Sequence, residues 1–273
     1  MPESSFHTLR PAQFSRLRPL FEADGLLQWN ISIGATLDGT CPGWAWADNP
    51  NQPQSALLLT PEGTYLAGRA DQPAFAAGMC RLVHQTLFAE WGFRGLWVAC
   101  ADDWLPHWDA LFGLPRTVID RQHYVCTQVC EDGLADLPAG YTVRRVDQTL
   151  LDLPGLIMPD HLREWMKSNW GSVDTFLARG FGFATLHDRR VVSWSLADGV
   201  SDDQCEIGIQ TEPEYRQRGL AAITAAACAG HALAHGYTAV GWHCSADNIG
   251  SQRTALRVGL VKERDYVLYE VRP

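Results

Sequence analysis

Six consecutive residues, Arg216, Gln217, Arg218, Gly219, Leu220 and Ala221, have types suited to holding an anion against a turn of the backbone. They follow a strand-like stretch, Cys205 to Gln210, and open a proline-free, alanine-rich run from Leu220 to His235 that reads as a helix. The first four N–H groups of a helix lack partners within it, and the aligned peptide dipoles add partial positive charge there. A phosphate fits such a place. Gly219 has no Cβ to block close approach, and Ala221 keeps the next inward position small. Arg216 and Arg218 flank the turn with guanidinium groups suited to phosphate oxygens.

Two titratable residues lie on the strands nearest this turn. Glu206 stands 13 residues ahead of Gly219, and strand alternation puts it with Gly208 on the face opposite Cys205 and Ile207. A carboxylate beside an apolar cleft has a raised pKa and accepts a proton directly or through water; an edge glutamate facing solvent is the alternative. His243, on the strand Thr238 to Cys244, titrates near neutrality; a packed, hydrogen-bonded histidine is the alternative there. Asp160 and His161 head a helix, where capping explains them as well as chemistry does.

The elements around these residues follow from pattern. Ala12 to Phe21 reads as a short helix, and Trp29 to Trp46 as irregular strands. Ser55–Thr60 and Tyr65–Gly68 form a hairpin over Pro61, Glu62 and Gly63. A helix from Pro73 to about Trp91 carries Phe75, Met79, Leu82, Val83, Thr86 and Leu87 at helical spacing. Leu96–Cys100 and Thr117–Val129 are strands, with a helix between them ending at Leu111. The stretch 131–140 is loop-like, which divides the chain into domains of residues 1–135 and 136–273. From Tyr141 the expected order is strand, two helices and a short third, three strands, helix, strand, helix, strand.

Length and composition narrow the function. The 273 residues hold one large domain or two ordinary ones, and 46% hydrophobic residues suffice for real cores. A formal charge of −9 argues against nucleic acid as a partner. No run of 18 apolar residues and no basic-then-apolar leader is present, so neither a membrane partner nor secretion is expected. The eight cysteines have no zinc-site spacing and read as reduced thiols of a cytoplasmic protein, with no metal expected.

The halves resemble each other. Trp91-Gly92-Phe93 precedes Leu96–Cys100 as His235-Gly236-Tyr237 precedes Val240–Cys244, with an offset of 144 at both Gly92/Gly236 and Cys100/Cys244. The same offset pairs Gly219 with Phe75, whose ring would fill an anion site, so only the second half should hold such a ligand. Residues 1–135 carry 8 Arg against 14 Asp and Glu, and residues 136–273 carry 14 Lys and Arg against 17. The more acidic half suits a cationic acceptor, and two ordinary acidic surfaces explain the split equally.

Arg216-Gln217-Arg218-Gly219-Leu220-Ala221 resembles the acetyl-CoA pyrophosphate loop of the GNAT superfamily of N-acetyltransferases, with Arg216, Gly219 and Ala221 at its fixed positions. The element order from 141 is the GNAT order, so the resemblance covers about 141–273. It implies a mixed, mostly antiparallel twisted α/β (α+β) sheet flanked by helices, preceded by a degenerate GNAT-like half without a cofactor loop. Acetyl-CoA is the implied co-substrate. Ile209, Gln210 and Thr211 match the strand end whose backbone pairs with pantetheine. Asn248-Ile249-Gly250-Ser251 matches the family's second signature, so Asn248 and Ser251 are expected at the thioester end; Asn248 is equally a good helix cap.

Direct attack by an amine needs a positioned thioester, a base, an oxyanion donor and a route for the thiolate. Glu206 lies near the family's catalytic glutamate, with His243 as second candidate. The usual tyrosine acid is replaced by Ala255, which leaves Tyr266, Tyr269 or Ser251 to serve, or an unprotonated leaving thiolate. The longer ordered text, including Tyr215–Ala221, Gly241-Trp242-His243-Cys244, Asn248–Ser251 and Lys262–Tyr266, is similar to the zwittermicin-A-resistance type of GNAT protein. The implied function is acetyl transfer to a primary amine of a small molecule, an antibiotic or amino-acid-like compound, by a monomer or homodimer. A non-catalytic acyl-CoA sensor, a compound-sequestering protein or an inert dimerisation module stays open on the sequence.

Overall fold

The structure, a computed structural model, describes residues 6–130 and 136–273. The loop expected at 131–140 thus lies half outside the described residues, as does residue 135 of the expected 135/136 boundary. The chain packs as two compact units, one of residues 1–120 with 266–273 and one of 121–265.

The first unit contains β1 (His7–Thr8), α1 (Arg18–Ala23), α2 (Ile31–Leu37), β2 (Trp44–Ala47), β3 (Ser55–Leu59), β4 (Thr64–Gly68), α3 (Pro73–Arg81), β5 (Leu96–Ala99) and α4 (Trp108–Phe112). Its sheet runs β1-β2-β3-β4-β5, antiparallel except for the parallel pair β4/β5. The hairpin over Pro61–Gly63 forms as expected. The helix from Pro73 also forms, continuing past Arg81 to Glu90 with wider turns, such as the Trp91 N–H donating to the Thr86 carbonyl. Phe75, Met79, Val83 and Leu87 line one stripe of it and are buried with Leu57, Leu66 and Trp104.

One expectation fails here. Ile31–Leu37 is a helix, and only Trp44–Ala47 is a strand, where irregular strands were expected across Trp29–Trp46. Isoleucine and threonine favour strands by propensity. All seven residues of α2 are buried, however, and packing decides where propensity is weak.

The second unit begins within β6 (Arg116–Cys126), continues through β7 (Tyr141–Arg145), α5 (Gln148–Leu151), α6 (Asp160–Trp170), α7 (Val173–Arg179), β8 (Gly182–His187), β9 (Arg190–Ser201), β10 (Gln204–Thr211), α8 (Leu220–Ala234), β11 (Ala239–Ser245) and α9 (Ile249–Val258), and ends within β12 (Val261–Val271). Its strands lie in the order β12-β6-β11-β10-β9-β8-β7. The core joins Leu162, Met166 and Trp170 of α6 and the alanine face of α8 to Trp194, Ile207 and Trp242 of the sheet. Nine alanine and glycine positions in α8 let the helix lie close to the strands.

The compact units do not follow a division at 135/136. Residues 121–126 of β6 pair along β11 in the second unit, and residues 269–271 of β12 pair with β5 in the first. Each unit therefore completes its sheet with a segment on the far side of the expected boundary. Pattern reading finds both strands but carries no information on which neighbour a strand chooses.

Candidate active site

β10 decides the geometry of the site. It pairs in parallel with β11 at only three positions, Gln204/Ala239, Cys205/Val240 and Glu206/Gly241. Beyond Glu206 it keeps its antiparallel ladder to β9 as far as Thr211, while the ladder to β11 stops. The two parallel strands thus part at Glu206. At the same level the β9 ladder skips a residue: Glu206 faces Gly199 and Ile207 faces Ala197, which leaves Asp198 as a bulge. Bulges re-aim side chains beside sites.

Past the parting lies a cavity of about 680 Å³. Ile209, Gln210 and Thr211 of β10 line one side of it. Arg216, Gln217, Gly219, Leu220 and Ala221 line the turn, and Asn248 and Ser251 line the start of α9. The sequence-predicted binding residues are therefore brought together, with one exception. Arg218 turns from the cavity: it donates to the Tyr141 hydroxyl at 2.9 Å and the Glu214 carbonyl at 2.9 Å, and lies over the Tyr215 ring. It braces the loop.

The turn has the backbone an anion needs. Gly219 caps α8 with φ +79°, and Gln217 has φ +61°. No side chain caps the start of α8, so its N-terminal N–H groups face the turn without a side-chain acceptor. Arg216 is exposed at the rim and steadied by its Nε donating to the Thr211 carbonyl at 3.1 Å. These residues fit a diphosphate, with peptide N–H groups and one guanidinium converging on an open turn. Asn248 caps α9, its Oδ1 accepting from the Ser251 N–H at 3.0 Å, and also lines the cavity. Ser251 Oγ accepts from Trp242 Nε1 at 2.9 Å.

Glu206 and His243 meet, with His243 Nε2 donating to Glu206 Oε1 at 2.8 Å. Their side chains are 6% and 14% exposed. Tyr266 belongs to the first unit, where its ring lies 4.5 Å from that of Trp29, and Tyr269 packs there on Trp108. Of the hydroxyls named as proton donors, Ser251 lines the cavity. Ala255, at the usual tyrosine position, is fully buried in the core. Phe75 is 1% exposed in the first unit's core.

Sequence reasoning missed several residues. His123 stands opposite His243 across β6/β11, and the two rings stack at 4.3 Å. Its sequence position gives no sign of this, because the pattern alone puts β6 in the other half. Asp198 was silent because a bulge is invisible in the pattern; its carboxylate accepts from Trp165 Nε1 at 2.6 Å and Asn169 Nδ2 at 3.3 Å. Trp165 occupies the space beside Gly208 that a Cβ there would need. Arg253 and Arg257 line the cavity from α9, and their spacing of four on a helix was a readable signal.

Comparison with known proteins gives the family and the fold. The chain is 26% identical over 272 residues, 97% of its length and 98% of the relative's, to the Bacillus subtilis (strain 168) protein described as "Uncharacterized N-acetyltransferase YdfB". The crystal structure of a GCN5-related N-acetyltransferase-like protein from Streptococcus suis 89/1591 superposes with a TM-score of 0.68 at 22% identity, covering 96% of this chain and 99% of that one. A tandem GNAT protein from the clavulanic acid biosynthesis pathway superposes at 0.59 with 13% identity, covering 98% of each chain. Residues 24–269 match the GNAT acetyltransferase model, so the chain belongs to the GNAT acetyltransferase family, has the GNAT fold and is an N-acetyltransferase.

Proposed function

We propose that this N-acetyltransferase passes the acetyl group of acetyl-CoA directly to a primary amine of a small molecule, with Glu206 as the base. The observation that carries the reading is the place of Glu206. It is the last residue of β10 paired with β11, where the two strands part, and the cavity wall begins three residues on, at Ile209. The backbone edge of Ile209–Thr211 would lay out a pantetheine chain just beyond it.

Acetyl-CoA supplies a thioester carbon open to attack. This chain's residues do the rest. Gly219, the start of α8 and Arg216 hold the diphosphate; Arg253 and Arg257 add positive charge along the same cavity. Glu206 takes the proton from the attacking ammonium, directly or through one water, and His243 holds its carboxylate by the 2.8 Å hydrogen bond. Ser251, at the start of α9, offers a hydroxyl to the departing thiolate. The acceptor is cationic before it loses its proton, and Asp198 beside Gly208 gives a second carboxylate at the level of Glu206. The resemblance to the zwittermicin-A-resistance type favours an antibiotic or amino-acid-like amine. The N-terminal unit, with Phe75 where Gly219 would correspond, takes no cofactor in this reading.

The test is thiol release from acetyl-CoA across a panel of small primary amines, with Glu206→Gln as the control. Glu206→Gln lowers kcat roughly 10²–10⁴-fold, the range of general-base catalysis, and leaves acetyl-CoA affinity unchanged. An unchanged kcat moves the base to His243 or to water.

A further inference from the structure

The cavity beside the turn holds more positive charge than a diphosphate calls for. Arg216 stands at the turn, and Arg253 and Arg257 line the wall that α9 supplies. No aspartate or glutamate is among the described residues that line it. The whole chain carries a formal charge of −9, so three guanidiniums with no carboxylate among them reverse the sign locally.

The period of α9 brings the two arginines to this wall. Gly250, Arg253, Thr254 and Arg257 follow the i, i+3, i+4, i+7 spacing of one helical face, and all four line the cavity. Ala255 and Val258, both 0% exposed, hold the neighbouring face against the core. From Gly250 to Arg257 the wall runs about 10 Å along the axis, at about 1.5 Å per residue. A Cβ on Gly250 would meet nothing nearer than Asn248 Oδ1, at 3.6 Å. The wall is therefore open between the start of α9 and its arginines.

Both guanidiniums are available. Each arginine is exposed, and neither makes an ion pair or a side-chain hydrogen bond among the described residues. Arg264 and Arg272, by contrast, each pair with a glutamate. Arg257 stands in the last turn of α9, where a cation also suits the helix dipole. Arg253 stands at mid-helix, where the dipole gives no reason for it.

The ligand has to supply the matching anion. The diphosphate of acetyl-CoA is met at the turn by Gly219, the start of α8 and Arg216. The remaining charge of that molecule sits on one group, the phosphate monoester at the ribose 3′ oxygen, which carries about −1.5 to −2 near neutral pH. It lies one sugar ring away from the diphosphate. Two guanidiniums four residues apart on a helix match its charge and its three terminal oxygens.

We propose that Arg253 and Arg257 hold the 3′-phosphate of acetyl-CoA and make this enzyme selective for the complete nucleotide. The inference rests on acetyl-CoA being the donor and on the turn at Gly219 holding its diphosphate. It separates the free nucleotide thioester from donors that carry acetyl on phosphopantetheine alone. A phosphopantetheine arm has one phosphate and no nucleotide to reach α9.

The experiment measures binding of CoA, 3′-dephospho-CoA and 4′-phosphopantetheine to the full chain by calorimetry, so it needs no acceptor amine. The wild type should bind CoA roughly tenfold more tightly than 3′-dephospho-CoA, the scale of charge-assisted bonds from two exposed groups. Rising salt should narrow that gap. 4′-Phosphopantetheine should bind more weakly than either. Arg253→Gln and Arg257→Gln should each weaken CoA, and the double variant should close the gap while 3′-dephospho-CoA keeps its wild-type affinity. Arg216→Gln should weaken CoA and 3′-dephospho-CoA alike and keep the gap. Glutamine preserves helix propensity, and unliganded melting temperatures near the wild-type value separate a lost contact from a lost fold. Equal wild-type affinity for CoA and 3′-dephospho-CoA overturns the inference and leaves the donor assignment standing. So does 4′-phosphopantetheine binding as tightly as CoA. Equal losses for CoA and 3′-dephospho-CoA in the double variant overturn it by placing both arginines on the diphosphate, and an unchanged gap overturns it by leaving them in solvent. A wild type that binds no CoA overturns the donor assignment and the inference with it.

Discussion

At the scale of single residues, the histidines set how the chain responds to acid. His123 is held below its ordinary pKa by burial and then by His243, and His231 by burial and then by the neighbouring His235. A base whose folded pKa is depressed binds fewer protons in the native than in the unfolded state, so stability rises with pH through that interval. The histidine contribution is therefore whole above the unfolded value of about 6.5 and is lost as pH falls below it. The paired carboxylates Asp71, Asp265 and Glu270 are held low by hydrogen bonds from Arg69, Lys262 and Arg272, so they matter only in stronger acid, below the ordinary carboxylate range. We expect the melting temperature to fall between about pH 7 and about pH 5, and His231→Gln to flatten part of that fall. A wild-type melting temperature constant over this interval would contradict the assignment. Residue types were also where the sequence was most readable. Gly219, Asn248 and Glu206 could be singled out by type and spacing, whereas the positions of Asp198 and His123 could not, because these depend on a bulge and on a cross-strand neighbour.

At the scale of elements, the strand–turn–helix unit from β10 to α8 was legible almost to the residue, because glycine after a strand and before an alanine-rich run has few structural meanings. What was not legible was the parting of β10 from β11, which comes from ladder geometry and leaves no mark on composition. The unit can be tested by filling its turn. Coenzyme A at 100 times its Kd should stabilise the wild type by about 2.7 kcal/mol through linkage. The left-handed φ of Gly219 makes any side chain there strained, by roughly 1–2 kcal/mol. Gly219→Ala carries that strain with little added bulk, so it should melt lower and still respond to coenzyme A. Gly219→Phe carries the same strain and fills the turn, so it should melt lower and not respond. Equal responses in the two variants would place the diphosphate elsewhere in the cavity. The misread α2 belongs at this scale too: a β-branched sequence became a helix because its entire surface is buried.

At the scale of the whole molecule, the two units are not consecutive lengths of chain, and this was beyond a reading that cut the sequence at one loop. Residues 266–273 are the last of the chain, yet they belong to the unit that contains its beginning. Tyr269, Glu270 and Val271 pair with Val98, Trp97 and Leu96 of β5. Leu268, Tyr269 and Val271 are 7%, 8% and 0% exposed, and Tyr269 packs edge-on against Trp108. Burying such side chains stabilises by roughly 1.5–3 kcal/mol each, so together they approach the 5–15 kcal/mol that holds an ordinary domain folded. Deleting residues 266–273 should therefore unfold the first unit, which lies almost wholly at the other end of the sequence, before it disturbs the second, whose turn at Gly219 and cavity lie within 121–265. Hydrogen exchange reads this directly. Protection should be lost in β3, β4 and β5 while the amides of β10 and the start of α8 remain protected and respond to coenzyme A. Loss confined to the second unit would mean that the tail stabilises the catalytic sheet instead.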